Sequence, residues 1–246
     1  MFKKIANVVL LVTTGLASAH INAQELAEAE GDLEEIIVTA EYRPVSVLEL
    51  PTSITVFNEQ SIERRGAVHL EQLLNLAPNV NLSSGASRGR FVLIRGIGER
   101  SQFVEPINPS VGLIIDGMDF TGIGGAASTL DMRQVEILRG PQGTLFGANA
   151  LAGLINMVSN GPENEMDGYA SLTVGNYSRL TATAALGGPI SQNTGFRLAV
   201  QGNKNDGYID NIFLGSDTND IDEVTARGKF AWEVNDDFSM DFTLLY

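Results

Sequence analysis

The sequence predicts an α+β domain over residues 43–162, followed by a series of antiparallel strands over residues 163–246. In the first part, short apolar strands that end at glycine, asparagine or proline surround a segment with helical periodicity. After Gly161-Pro162, apolar residues recur at every second position instead. Because helices and strands differ in this period, the change indicates two kinds of structure in one chain.

The first 23 residues have the pattern of a secretory signal peptide. Lys3 and Lys4 precede an apolar run from Ile5 to Ala19, and small residues then allow cleavage after Ala19 or Ala23. The run is too short for a membrane-spanning helix. We therefore expect a mature chain that is exported beyond the inner membrane.

Charge and composition argue against several classes of function. The formal net charge of −14 argues against nucleic acid as a partner, and the lack of cysteine excludes disulfides and thiolate metal sites. The two histidines, His20 and His69, cannot form a catalytic or metal-binding cluster. The glycines from Gly140 to Gly153 match neither the dinucleotide fingerprint nor a phosphate loop. We expect no enzyme, no cofactor and no resident metal.

Residues 24–42 form an acidic segment that is not expected to bury a core. Within it lies a hexamer with a strong preference for the extended conformation: Glu35, Ile36, Ile37, Val38, Thr39 and Ala40. Such a hexamer either begins the next domain as its first strand or adds itself to the edge of a partner's sheet. The residues alone leave both interpretations open.

Residues 43–162 contain a regular series of short elements. A strand at Ser53–Phe57 precedes a helix that Asn58 caps and Gly66 ends. Apolar residues at helical spacing follow, and further strands are expected at Phe91–Arg95, Val111–Asp116, Gln134–Leu138 and Leu154–Ser159. The linkers Gly98–Ser110 and Gly117–Thr129 are long for such a domain, which is typical of binding loops.

Two of the strands end in an Arg-Gly pair, at Arg95-Gly96 and Arg139-Gly140. The second leads through Pro141 into Gly143 and Gly147, which predicts a fixed turn with close backbone packing. Gly98 and Gly117 occupy comparable positions after other strands.

Five runs of alternating residues follow in the C-terminal part, and each has one apolar and one polar face. Strands of this length fit a transmembrane β-barrel with lipid outside, and equally a soluble sandwich with the apolar face inside. The long polar stretch Asn203–Asp222 and the short turn at residues 235–237 match the long outer loops and short inner turns of a barrel.

Taken in order, these features resemble the N-terminal part of a TonB-dependent outer-membrane receptor. The hexamer at residues 35–40 resembles the TonB box. Four segments resemble the successive motifs of that family's plug domain: Arg95-Gly96-Ile97-Gly98, Val111–Gly117, Glu136–Gly140 and Gly143–Asn156. The resemblance implies a signal peptide at 1–23, a flexible segment with the TonB box at 24–42, a plug domain at 43–162 and the first barrel strands at 163–246.

The resemblance also implies a function. It predicts TonB-dependent transport of a large, scarce ligand such as a ferric siderophore across the outer membrane, with cobalamin, a carbohydrate or another nutrient as alternatives. The implied partners are TonB, outer-membrane lipid and the small-molecule ligand. Residues 35–40 would bind TonB in the periplasm, whereas Arg95 and Arg139 would hold the plug by pairing with acids of the barrel.

About five of the roughly twenty-two strands of such a barrel lie within this sequence, and five strands cannot close a barrel. We therefore expect the chain to be part of a longer reading frame, and the acids that pair with the two arginines to lie beyond Tyr246. The competing interpretation is a truncated, plug-like binding module that transports nothing.

Overall fold

The structure is a computed structural model of the chain. It describes residues 36–39, 44–83, 89, 91–100, 107–123, 126–213, 215–235 and 237–246. The predicted signal peptide, together with Glu35 and Ala40, lies outside the described residues. No described helix is both long and apolar enough to cross a membrane.

The predicted α+β fold is confirmed, and the strands expected from the sequence have boundaries within about two residues of those observed. The domain also includes a short strand that precedes the expected start at residue 43. Its strands are β1 (Ile37–Val38), β2 (Val45–Ser46), β3 (Ser53–Asn58), β4 (Val80–Ser83), β5 (Phe91–Ile94), β6 (Val111–Ile115), β7 (Met118–Asp119), β8 (Met132–Arg139) and β9 (Gly153–Ser159). Its helices are α1 (Glu59–Arg65), α2 (Glu71–Leu74) and α3 (Gly143–Phe146), with 3-10 turns at Val47–Glu49 and Gly147–Asn149.

Local sequence explains both ends of α1. The Asn58 side chain accepts a hydrogen bond from the Ser61 backbone N–H at 3.0 Å, which satisfies a donor that the helix itself leaves free. Gly66 ends the helix with φ of +61°, and its N–H donates to the Glu63 carbonyl. The predicted cap and stop are therefore confirmed.

The central sheet of the domain has the order β3-β8-β9-β6-β7, in which only β6 and β9 are parallel among the described strands. Because residues alternate along β8, Val135 and Ile137 face the main core, which also contains Leu73 and Leu74 of α2. Leu138 packs on the opposite face in a smaller cluster. Glu136 shares that opposite face.

The second sheet consists of the five predicted strands. They are β10 (Asp167–Val174), β11 (Leu180–Ser191), β12 (Thr194–Asn205), β15 (Ile221–Asn235) and β16 (Phe238–Leu245), paired antiparallel in that order. Between β12 and β15 the predicted polar loop contains a small hairpin, β13 (Ile209–Asn211) with β14 (Ser216–Thr218). We call the five long strands the amphipathic sheet.

The amphipathic sheet turns its polar face toward the α+β domain. On β12, Arg197 and Gln201 are buried against that domain, whereas Leu198 and Val200 point away and are about half exposed. A soluble sandwich would bury the apolar face instead, so the sandwich interpretation is wrong. An outward apolar face and an inward polar face are typical of a barrel that spans a membrane, and the five strands form an open sheet.

Candidate functional site

The middle of the predicted TonB-binding hexamer packs against the α+β domain. Ile37 and Val38 pair antiparallel with Ser46 and Val45. Ile36 is exposed, but Val38 is only 1% exposed. The sequence left two interpretations open for this hexamer. In the structure, Ile37 and Val38 form the first strand of the domain.

A buried carboxylate binds the backbone just after this strand. Glu136 Oε1 accepts hydrogen bonds from the Thr39 backbone N–H at 2.8 Å and the Thr39 hydroxyl at 3.1 Å. The Gln134 amide donates to the Ile37 carbonyl at 3.1 Å, and the Asn156 amide donates to Glu136 Oε2 at 2.9 Å. We call Gln134, Glu136 and Asn156 the Glu136 cluster.

Arg95 and Arg139 lie close to each other on the α+β domain. Arg139 donates to the Ser53 hydroxyl at 3.1 Å, the Thr55 hydroxyl at 2.6 Å and the Ile54 carbonyl at 3.2 Å, all on β3. Partial burial and the neighbouring charge of Arg95 lower the pKa of the Arg139 guanidinium. No described carboxylate forms an ion pair with either arginine, so their predicted pairing with barrel acids stays a prediction.

The predicted reason for the glycines is only partly correct. Gly140 and Gly147 adopt φ of +123° and +72°, yet a Cβ at Gly140, Gly143 or Gly147 would meet no atom within 4 Å. The turn therefore needs left-handed backbone at two positions, not close packing. Gly96 and Gly117 likewise have positive φ in open space, whereas Gly98 does approach the Val92 carbonyl closely.

The contact between the α+β domain and the amphipathic sheet depends on ion pairs that the sequence did not predict. The guanidinium of Arg197 on β12 binds both carboxylate oxygens of Asp131, at 2.7 and 2.9 Å. Both side chains are almost fully buried. Asp167, at the start of β10, also accepts from Arg197 at 3.2 Å.

A second set of contacts involves β15. The ammonium of Lys229 lies 3.2 Å from an Asp116 carboxylate oxygen, and the guanidinium of Arg227 donates to the Leu130 carbonyl. Burial alone would raise the pKa of Asp116, but Lys229 and two hydrogen bonds from Ser159 outweigh it and lower that pKa. Across this contact the domain thus supplies the acids Asp116 and Asp131 and the strands supply the cations, while Asp167 adds an acid from the strands themselves.

The sequence indicates only half of this arrangement. Arg197, Arg227 and Lys229 were recognisable as polar-face residues of alternating strands, and Asp116 as the end of a strand. Buried Asp131 carried no local pattern. A charged residue on the inward face of a strand was the signal that could have prompted a search for partners.

The second predicted binding loop borders a cleft of about 780 Å³. Met118 and Phe120 line the cleft from the domain, and Gln201, Asn203 and Asp222 line it from the amphipathic sheet. Parts of both predicted loops, residues 101–106 and 124–125, lie outside the described residues. Within the described part of the chain, no group of His, Asp or Glu side chains is arranged to hold a metal ion.

Comparison with known proteins identifies the α+β domain. Residues 46–154 match the family model of the TonB-dependent receptor plug domain. The α+β domain is a TonB-dependent receptor plug domain. The family expectation from the sequence is confirmed, and the amphipathic sheet that receives the plug domain's ion pairs is the beginning of the barrel wall.

Relatives agree with this assignment. The chain is 30% identical over 176 residues to the pesticin receptor of Yersinia enterocolitica. That alignment covers 71% of this chain and 25% of the receptor. It is 26% identical over 235 residues to the vitamin B12 transporter BtuB of Vibrio vulnificus. That alignment covers 87% of this chain and 37% of the transporter.

The solved structure of the ferric yersiniabactin uptake receptor FyuA from Yersinia pestis superposes with a TM-score of 0.65 at 26% identity. That match covers 75% of this chain and 29% of FyuA. The chain thus spans between a quarter and two fifths of the length of these relatives. The family places the receptor in the outer membrane of a Gram-negative cell, as the sequence predicted.

Proposed function

We propose that this chain is the plug-bearing part of a receptor for TonB-dependent active transport across the outer membrane. The observation that carries the proposal is the fixed position of the plug domain on the polar face of the amphipathic sheet. A domain bound to the inner wall of a barrel blocks the passage until it is rearranged. The family match of residues 46–154 supports the same role.

The ligand we propose is a ferric siderophore. FyuA is a ferric yersiniabactin uptake receptor, and its 26% identity to this chain supports this class of ligand. The cleft between the plug domain and the amphipathic sheet is lined by polar as well as apolar side chains, which suits a large polar chelate. Vitamin B12 is the second candidate, because BtuB aligns with 87% of the chain.

Energy for transport would enter through residues 35–40. In this proposal TonB pairs with Ile36, Ile37 and Val38 by strand addition, in which backbone hydrogen bonds supply the affinity. The extended conformation of Ile37 and Val38 in β1 supports this mode of pairing. Arg95 and Arg139 would bind barrel acids on strands that follow this chain in the complete receptor.

An uptake experiment tests the ligand. A strain without the gene is complemented with the complete gene, and uptake of radioactive iron from a panel of ferric siderophores is measured beside uptake of labelled cyanocobalamin. We expect complementation to restore iron uptake from one class of siderophore. Restored cobalamin uptake without iron uptake would favour the alternative, and restoration of neither would contradict both.

A further inference from the structure

Glu136 is a fully buried acid that neither the plug's ion pairs nor its main core explains. It lies in the middle of β8, directly opposite Val56 of β3 and Asn156 of β9. Its side chain is on the face of the sheet opposite the main core and is 0% exposed. Burial of a carboxylate is costly unless donors surround it, so its surroundings should show what it binds.

Every hydrogen bond described for Glu136 comes from a neutral donor. Thr39 donates its backbone N–H and its hydroxyl, and Gln134 and Asn156 donate their amides. The two oxygens of this side chain act as acceptors, and the four donors occupy both of them. Two of the four come from Thr39, so the carboxylate is completed by the N-terminal segment.

The Glu136 cluster binds the backbone of the segment on both sides of Val38. Gln134 binds the Ile37 carbonyl, and Glu136 binds the Thr39 N–H. Backbone carbonyls and N–H groups are also what a partner that adds a strand must pair with. A segment held by the Glu136 cluster cannot offer the same two groups to another protein.

We propose that Glu136 is a positioning residue that holds residues 37–39 in the plug domain and competes with TonB for their backbone. The proposal rests on the proposed TonB-binding role of residues 35–40. Glu136 thereby sets the fraction of receptors whose segment is accessible before ligand binds. Because the cluster is polar, water can replace its hydrogen bonds when the segment leaves, which makes docking reversible.

The variant Glu136→Gln tests this hypothesis with little change of shape. A glutamine side chain has one acceptor oxygen and one donor NH₂. If its NH₂ takes the place of Oε1, it faces the Thr39 N–H, which is also a donor. If its NH₂ takes the place of Oε2, the Asn156 amide must turn to accept from it, and Thr39 then meets a neutral amide oxygen, which is a weaker acceptor than a carboxylate. The variant therefore weakens docking of the segment while β8 keeps its apolar contacts.

Docking is measured by thiol labelling in the complete receptor in outer membranes. These 246 residues contain no cysteine, so Val38→Cys is the only thiol in this part of the receptor, at a position that is 1% exposed when docked. The receptor with Val38 unchanged, labelled in parallel, gives the background from the remainder of the protein. We expect Glu136→Gln to increase the labelling rate of Val38→Cys about tenfold or more. A labelling rate equal to that of the parent would overturn the role of Glu136, whether or not TonB binds the segment.

Two controls separate docking from general loosening of the plug. Glu59→Gln alters another plug carboxylate with an asparagine partner, Asn160, that does not contact the segment, and should leave labelling unchanged. Val135→Cys, in the main core, should stay unreactive in every variant. If Glu136→Gln does not fold, Gln134→Ala removes the bond to the Ile37 carbonyl and should raise labelling of Val38→Cys in the same direction.

Competition is measured by the amount of receptor that the periplasmic domain of TonB captures without ligand. We expect Glu136→Gln to be captured several times more than the parent. Capture equal to the parent's, with the parent still captured when its ligand is added, would overturn the competition. No capture of either receptor under any condition would contradict the proposed TonB-binding role instead, while the labelling result would still decide the role of Glu136.

Discussion

Asp131 is the residue on which the contact between the plug domain and the amphipathic sheet most depends. Its carboxylate is fully buried and bound at both oxygens by Arg197, which lies on β12, the third strand of the wall. A bidentate pair of this kind fixes geometry as well as charge. Its contribution is conditional, however, because the removal of either partner would leave the other as a buried charge with much weaker compensation.

Asp131→Asn should therefore destabilise the plug domain by up to about 3–5 kcal/mol, since it removes the buried counter-charge of the Arg197 guanidinium and leaves only the exposed Asp167 as its partner. The change is measured with the complete receptor in lipid vesicles, as the urea concentration at which the plug is released and becomes sensitive to protease. Asp222→Asn is the matched control, because Asp222 pairs with Lys204 in a well-exposed site and should matter little. Equal sensitivity of the two variants would contradict the importance of burial.

At this scale the sequence predicted residue types better than partners. The positions of Arg197 and Lys229 on polar faces followed from alternation. Asp131 and Asp116 could not be paired with them, because ion pairs between residues far apart in sequence depend on how two sheets pack. The same holds for Glu136, which the pattern placed on a strand but not beneath Thr39.

The strands of the amphipathic sheet are the elements that separate lipid from plug. Leu198 and Val200 lie on the outward face of β12, while Ala199 and Gln201 lie on the inward face. Alternation predicted these faces correctly, but it did not say which one was inside. The contact with the plug domain shows which face is inside, because the buried acids of the plug pair with cations on the polar face.

A charge on the outward face should be costly. Leu198→Arg is expected to destabilise the folded receptor in vesicles by up to roughly 2–4 kcal/mol, the cost of a cation on the lipid side of a barrel strand. Ile212→Arg is the control, because Ile212 is 96% exposed in the hairpin outside the sheet and should tolerate the change. The folded fraction against urea concentration measures both, and equal stability of both variants would contradict the assigned face.

Smaller elements were harder to predict. The hairpin of β13 and β14 lies in a stretch that reads as a polar loop, since its apolar residues Ile212 and Phe213 are exposed and follow no alternation. The two-residue strand β1 is held by the Glu136 cluster and β2, and these contacts come from distant parts of the chain.

For the whole molecule, the N-terminal segment should be separable from ligand recognition. Deletion of residues 35–40 is expected to abolish uptake by the complete receptor while leaving the affinity for ligand within about twofold. Uptake and binding of the same labelled ligand by the same cells measure the two effects. Unchanged uptake would contradict the proposed coupling through these residues, and lost binding would show that the segment also shapes the ligand site.

The contacts between the plug domain and the amphipathic sheet also bear on the order of folding. Asp131 and Arg197 are 66 residues apart in the chain, and Asp116 and Lys229 are farther apart still. Contacts between distant segments form late, because the chain entropy lost in closing a long loop must be offset before the contact stabilises anything. We therefore expect the plug domain and the wall strands to acquire their own sheets first, and these ion pairs to fasten the plug to the wall in a late step of folding.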